Sequence, residues 1–216
     1  MEDIFHLLLK AGLISYYLPF LLVLYLLLKK GKQFTSFERL LFFFISYNGI
    51  AIIIEQFVLT DRFKNFNPIF NSLTIIDFCT IIAIFSKILH EAGPKILRLL
   101  KYFTVICLSI SIIELLFIND LFSINIYTNS ISKCLIIVVA SITIYLSEIK
   151  ITITQSQKIV TYTVFAYSIL TLPIALFEQI IRLNESNYLY IIWSLNIFFT
   201  LFFNLFLTLS LWKLKK

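Results

Sequence analysis

The stretch Leu18–Leu28, LPFLLVLYLLL, contains eleven residues and no charged side chain. It lies inside an apolar run over residues 10–28, and a helix needs about 20 mostly apolar residues to cross the hydrocarbon core of a membrane. Phe and Tyr also favour strands, but a membrane β-strand alternates apolar and polar residues over about ten positions. Because this stretch does not alternate, the sequence predicts a transmembrane helix.

Six further apolar runs have similar length and composition. Together they predict seven spans over roughly 10–28, 39–60, 68–88, 98–118, 127–147, 159–181 and 187–211. Apolar types make up 60% of the 216 residues and charged types 14%, against about 45–50% and about 25% in ordinary soluble domains. The connections between the runs are too short to hold a folded domain. The predicted fold is therefore all-α: a single polytopic transmembrane bundle of seven helices over residues 1–216.

The distribution of positive charge predicts the orientation of this bundle. If the N-terminus lies outside, the inner connections and the C-terminal tail hold 13 of the 18 Lys and Arg residues, and the outer side holds 5. Inner loops of membrane proteins are enriched in Lys and Arg, so the sequence predicts the N-terminus outside and the C-terminus inside. We expect the inner face to attract anionic lipid headgroups and to be available to a partner protein, but not to bind nucleic acid.

Ionisable residues inside the spans are the main functional signal of the chain. A charged side chain at the centre of a span costs about 2.5–3.5 kcal/mol on insertion scales, so its presence points to function. With the N-terminus outside, these residues all fall in the outer half of the bilayer: Glu55, Asp77, Glu114, Lys133, Glu178 and Arg182. The inner halves of the spans carry almost none, which predicts a polar cluster on the outer side.

Helical spacing aligns some of these charges with other polar side chains. Polar residues recur every three or four positions in spans three and seven: Asn71, Thr74, Asp77 and Thr80, and Asn196, Thr200, Asn204 and Thr208. This spacing keeps them on one helix face, which must point into the bundle because lipid offers no hydrogen-bond partner.

From this pattern we expect an outward-open polar cup that binds a ligand or an ion. The residues predicted to line it are Asp77, Glu114, Lys133, Glu178 and Asn196, with Asn204 and Glu55 as further candidates. Lys133 is the expected counter-charge for Glu114 or Glu178.

The same residues also have a purely structural interpretation. Polar side chains between membrane helices often only hold the helices together, at about 0.6 kcal/mol each. Glu55, Lys133 and Glu178 are also close enough to the predicted outer surface to extend toward the headgroups. Asp77 and Asn196 are the deepest, so they weigh most for a binding site.

Motifs for catalysis and for metal binding are missing from the sequence. Cys79, Cys107 and Cys134 are isolated within spans, and the two histidines, His6 and His90, are predicted on opposite sides of the membrane. The sequence contains neither HExxH nor GxSxG. We therefore expect no enzymatic activity, no cofactor and no metal site.

Three segments carry a resemblance to a known group of proteins. They are IAIIIEQF (50–57) with its acid, NSLTIIDFCTIIAIFSKIL (71–89) with Asp77 where Glu would be expected, and LYIIWSLNIFFTLFFNLFLTLSLWK (189–213) with paired Asn and a terminal Trp. The layout resembles compact seven-helix inner-membrane proteins of Bacteroidota-type bacteria. Their function is not established, and their genes often neighbour sensor histidine kinases or response regulators. The resemblance implies a bacterial inner-membrane protein that works beside a signalling partner, and it assigns no catalytic residue.

Two functions follow as hypotheses. In the first, a sensor or accessory subunit reads a ligand at the outer cup, and the basic inner loops pass its state to a separate partner. In the alternative, a small transporter or channel subunit is coupled to protons or cations through Asp77 and Glu114. Pro19 and Pro173 are expected to kink spans one and six, either as hinges or, as is commoner, only to fit the packing. The nearly uncharged inner halves favour the first hypothesis, because a permeation path needs polar groups on both sides.

Overall fold

The computed structural model describes residues 2–30, 33–58, 67–118, 126–183 and 188–214. These ranges contain seven long helices and no strand: α1 (Glu2–Lys30), α2 (Ser36–Val58), α3 (Asn67–Ile88), α4 (Pro94–Ile113), α5 (Ile126–Ile149), α6 (Gln155–Leu183) and α7 (Tyr188–Leu214). Each of the seven is long and apolar enough to cross a membrane. The prediction of an all-α protein with seven helices of membrane-spanning length and hydropathy is confirmed.

Six of the helices form a closed ring. Around the ring, α1 packs against α2, α2 against α3, α3 against α5, α5 against α6, α6 against α7, and α7 against α1. The remaining helix, α4, lies outside this ring and packs against α3 and α5. The order of the helices around the ring therefore skips α4, and the other six helices enclose the interior of the bundle.

Contacts at the helix ends show that neighbouring helices in the chain run in opposite directions. Ser156, near the start of α6, shares a hydrogen bond of 2.7 Å with Ser210, near the end of α7. We call the end where α1, α3, α5 and α7 begin the amino-terminal end of the bundle, and the opposite one the carboxyl-terminal end.

Helices α2 and α6 begin three to four residues earlier than their apolar runs predict, because each starts with a capping box. The backbone N–H of Thr35 donates to Glu38 at 2.7 Å, and the N–H of Glu38 donates to the Thr35 hydroxyl at 3.2 Å. Thr154 and Gln157 repeat the arrangement at 2.8 and 3.3 Å. Such reciprocal bonds satisfy the first backbone donors of a helix, so it extends beyond its apolar segment.

The turn between α3 and α4 is fixed by local geometry and by one long-range bond. A short 3₁₀ turn, His90–Ala92, leads to Gly93 with φ of 109°, a conformation that favours glycine, and Pro94 begins α4. The Lys150 ammonium, just after α5, donates to the Ala92 carbonyl at 2.9 Å. The turn is thereby held against the end of α5.

Apolar packing fills the ring toward the carboxyl-terminal end. Five helices contribute fully buried apolar side chains there: Val23, Leu26, Leu41, Phe85, Val160 and Leu211. Large apolar side chains such as Leu28 and Phe117 remain exposed on the outer surface, as expected where lipid rather than water surrounds the helices. The packed half closes one end of the ring, and a cavity lies toward the other.

Candidate functional site

A cavity of about 310 Å³ lies inside the ring and is lined by all six ring helices. We call it the ring cavity. Its polar and charged wall includes Asn48, Asp77, Lys133, Tyr167, Asn196 and Thr200. Toward the amino-terminal end it reaches Asn129 and Ile192, which lie about one turn from the starts of α5 and α7. Because small-molecule pockets typically measure about 300–1,000 Å³, this cavity suits a small ligand.

Asp77 on α3 is held by two donors from α2. The hydroxyl of Tyr47 donates to its Oδ1, and the side-chain amide of Asn48 donates to the same oxygen at 3.0 Å. The Asn48 amide also donates to the Phe44 carbonyl at 3.0 Å, which fixes its orientation. Within the described ranges Oδ2 of Asp77 has no protein donor, and Asp77 lines the cavity. The carboxyl group is thus oriented through one oxygen, and the other remains an acceptor at the cavity wall.

Lys133 brings a positive charge to the same cavity from α5. Its Nζ donates to the hydroxyl of Thr171 at 2.8 Å and lies 5.7 Å from the centre of the Tyr167 ring. An ammonium group over an aromatic face is attracted by the negative potential of the ring. Lys133 also lies within electrostatic range of Asp77. Among the side chains that the structure describes, one acidic and one basic group therefore share this small cavity.

The four-residue repeat on α7 serves two different purposes. Asn196 and Thr200 line the cavity, and the Thr200 hydroxyl lies 3.5 Å from the Tyr167 hydroxyl. Asn204 also reaches the cavity wall, but its amide donates to the hydroxyl of Ser15 on α1 at 3.0 Å. This bond joins two helices, which supports the interpretation that Asn204 holds helices together.

Small residues allow α1 and α7 to approach each other closely beside this bond. A Cβ atom placed on Gly12 would lie 2.6 Å from Cγ2 of Ile197, much closer than two carbon atoms can pack. The hydroxyl of Ser15 folds back to the carbonyl of Gly12 at 2.6 Å. Close helix contacts through glycine and serine are typical of membrane bundles.

Glu114 lies outside the ring cavity, which corrects the expectation that it lines the cup. It follows α4 at a π-helical turn, Glu114–Ile118, and is completely buried. Its carboxyl group accepts hydrogen bonds from the backbone N–H groups of Tyr127 at 3.0 Å and Thr128 at 2.7 Å, and from the Thr128 hydroxyl at 2.7 Å. Glu114 therefore caps the first turn of α5. The reason is the position of α4, which lies outside the ring.

Two other predicted site residues fall outside the described side chains. Glu55 and Glu178 belong to the last two turns of α2 and α6, at the amino-terminal end of the bundle, and the structure does not describe their side chains. Their roles as cup residues, and the pairing of Glu178 with Lys133, stay predictions.

The residues that sequence reasoning missed include two tyrosines: Tyr47, which donates to Asp77, and Tyr167, which lines the cavity. Tyrosine counts as apolar in a search for spans and is commonest at the membrane surface. The signal that could have found them is their position near the middle of α2 and α6. There a hydroxyl group needs a protein partner.

Comparison with known proteins gives no match. No protein-family model matches the chain, and no curated protein or solved structure matches it either. The functional argument therefore depends on the chemistry of the ring cavity.

Proposed function

We propose that this protein is a sensor or accessory subunit of the bacterial inner membrane that binds a small polar ligand and signals to a separate partner. The observation that carries this proposal is that the cavity is one-sided. Polar groups around Asp77 and Lys133 line the ring toward the amino-terminal end, and fully buried apolar side chains fill it toward the other end. A site with a closed floor suits detection of a ligand better than its passage across the membrane.

In this proposal the N-terminus lies outside and the C-terminus in the cytoplasm, so that the cavity opens outward. Exposed basic side chains at the carboxyl-terminal end support this orientation: Lys29, Arg39, Lys95, Arg98, Lys101 and Lys213. Green fluorescent protein fused after Lys216 should fluoresce, and alkaline phosphatase fused at the same position should be inactive. The opposite pair of results would reverse the orientation and reject an outward-facing cavity.

Access to the cavity can be measured with single cysteines in a chain whose three native cysteines are replaced by alanine. Asn196→Cys, at the cavity wall, should react with a charged, membrane-impermeant thiol reagent added from outside. The matched control is Leu195→Cys, one position along the same helix, where the native side chain is 46% exposed on the outer surface of the bundle. It should not react, because lipid excludes the charged reagent. Equal reaction of both variants, or of neither, would reject a water-accessible cup.

The partner is expected at the basic carboxyl-terminal end, which also faces anionic headgroups of the inner leaflet. Lys95, Arg98 and Lys101 are exposed and follow one another at steps of three on α4, so they lie along one side of the helix. A pull-down in mild detergent should recover a signalling protein, and replacing these three residues by Gln should reduce its recovery. Lys10→Gln, at the opposite end, is the control. Recovery of no signalling protein, together with unchanged signalling output on deletion of the gene, would contradict the proposal.

A second candidate, a small transporter or channel subunit, is favoured by one observation. Pro19 lies inside α1 and lines the ring cavity, so a kinked segment borders the site and offers a hinge for opening its floor. A flux assay in proteoliposomes, with protons or small cations and with Asp77→Asn as the comparison, separates the two functions. Flux that Asp77→Asn abolishes would establish transport, and the absence of flux from both chains would leave the sensor.

A further inference from the structure

The two oxygens of Asp77 have different surroundings, and this difference indicates which kind of group the cavity binds. Tyr47 and Asn48 both donate to Oδ1 from α2. Two donors on one oxygen fix the plane of the carboxyl group and leave Oδ2 at the cavity wall. A carboxylate oxygen can only accept hydrogen bonds, so its natural ligand partner is a donor, and a charged donor binds most strongly.

The positive charge of Lys133 restricts the identity of that ligand. A simple cation bound at Asp77 would meet like-charge repulsion from Lys133, and a simple anion bound at Lys133 would meet repulsion from Asp77. A molecule with both charges gains from both residues and incurs neither penalty. Each singly charged competitor is thus attracted by one of the two residues and repelled by the other. Repulsion of the wrong ligands is a general way in which a binding site becomes specific.

We propose that the ligand of the ring cavity is a small zwitterion that carries an ammonium group and a carboxylate group. Its ammonium group donates to Oδ2 of Asp77, and its carboxylate accepts from the ammonium group of Lys133. Asn196 and Thr200, on the α7 wall of the same cavity, supply further hydrogen-bonding groups. This inference rests on the proposed function, since it names the ligand of the same site.

The size of the cavity favours a small ligand. Its volume of about 310 Å³ is at the low end of the usual range, about 300–1,000 Å³. A free amino acid with a small side chain suits this volume, whereas a peptide or a nucleotide does not. The apolar floor, which includes Phe203 and Leu207, offers an aliphatic side chain a place to pack.

Binding to the purified protein in detergent, measured by isothermal titration calorimetry, tests the ligand class directly. The probes are glycine, L-alanine, L-leucine, β-alanine and 4-aminobutyrate, which vary the side chain and the separation of the charges. Each probe is compared with two singly charged relatives: the amine that lacks its carboxylate group and the carboxylate that lacks its ammonium group. We expect at least one zwitterion to bind about tenfold more tightly than both of its singly charged relatives, since a hydrogen bond to a charged group contributes about that much or more. Binding of no zwitterion, or equal binding of the amine alone, would overturn the proposal.

Two variants of the full chain give a signature that loss of folding cannot imitate. Asp77→Asn should remove the preference for an ammonium group, so that the zwitterion and the matched carboxylate bind equally. Lys133→Gln should do the reverse and equalise the zwitterion and the matched amine. Glu148→Gln and Lys213→Gln, which change exposed charges at the carboxyl-terminal end, should leave all affinities unchanged. Equal loss of every ligand in both site variants, with circular dichroism showing intact helices, would contradict the assigned roles.

Failure of this inference can be told apart from failure of the proposed function. If the thiol reagent reaches Asn196→Cys but no zwitterion binds, the cavity is open to the outside and the ligand class is wrong. If the reagent does not reach Asn196→Cys, the outward-facing cup itself is wrong, whatever the calorimetry gives.

Discussion

Replacing Glu114 by Ala should detach the start of α5 from α4 and destabilise the whole bundle without altering the ring cavity. Three donors would lose their acceptor: the backbone N–H groups of Tyr127 and Thr128 and the hydroxyl of Thr128. Glu114 is completely buried, so these donors have little access to water in exchange.

The size of the effect can be bounded from two sides. Polar contacts between membrane helices average about 0.6 kcal/mol each, which for three bonds gives about 2 kcal/mol. A buried donor left without a partner costs about 1–3 kcal/mol, and the loss of a helix cap costs about 0.5–2 kcal/mol. Since two of the bonds involve Thr128 and are not independent, we expect a decrease of about 2–5 kcal/mol in the free energy of unfolding for Glu114→Ala. Glu114→Gln, which keeps one acceptor oxygen, should lose about half as much.

Unfolding in mixed micelles with increasing SDS, followed by circular dichroism, measures this free energy. Glu148→Ala serves as the control, because Glu148 is an exposed acid near the far end of α5. In folded protein, Asn196→Cys should keep its reactivity when Glu114 is replaced. A change below about 0.5 kcal/mol for Glu114→Ala, the level of an ordinary surface substitution, would refute the capping role. If Glu114→Ala abolished ligand binding at unchanged stability, Glu114 would instead belong to the ligand-binding cup.

Three further substitutions test the contacts around the ring. Gly12→Ala should destabilise the bundle by about 1–3 kcal/mol, because its Cβ would overlap Cγ2 of Ile197. In the same SDS titration, adding Ile197→Ala to this variant should restore part of the lost stability. No recovery of stability would contradict the steric explanation. Asn204→Leu removes the bond to Ser15 and should cost about 0.6–1.7 kcal/mol in that titration, whereas an unchanged midpoint would show the bond to be dispensable. Lys150→Met should speed hydrogen exchange in the turn over residues 89–93, which its ammonium group contacts, and unaltered protection there would show that the turn is held by other means.

The helices themselves could be predicted closely from the sequence. Each span shows as a run of about 20 apolar residues, because the hydrocarbon thickness imposes that length on every crossing segment. The ends were less accurate. The apolar pattern starts α6 at residue 159, but the capping box of Thr154 and Gln157 starts it at Gln155. Polar cap residues lie outside the apolar run, so a search for hydrophobic stretches passes over them.

The binding site could be predicted only in part. Polar or charged side chains inside apolar spans marked Asp77, Lys133 and Asn196 as candidates, and the structure brings all three into one cavity. Tyr47, which orients Asp77, was not among the predicted residues. Its hydroxyl group is only a small fraction of an apolar side chain, and its partner lies 30 positions away along the chain.

By itself, the sequence determined seven helices that are long and apolar enough to cross a membrane, because length and hydropathy are local properties of each segment. Only the tertiary structure decided which polar faces meet. Glu114 and Asp77 look alike as buried acids in the sequence, yet one caps α5 and the other lines the ring cavity. The difference arises because α5 rather than α4 follows α3 around the ring. That order depends on how whole helix surfaces pack, which hydropathy along the chain does not specify.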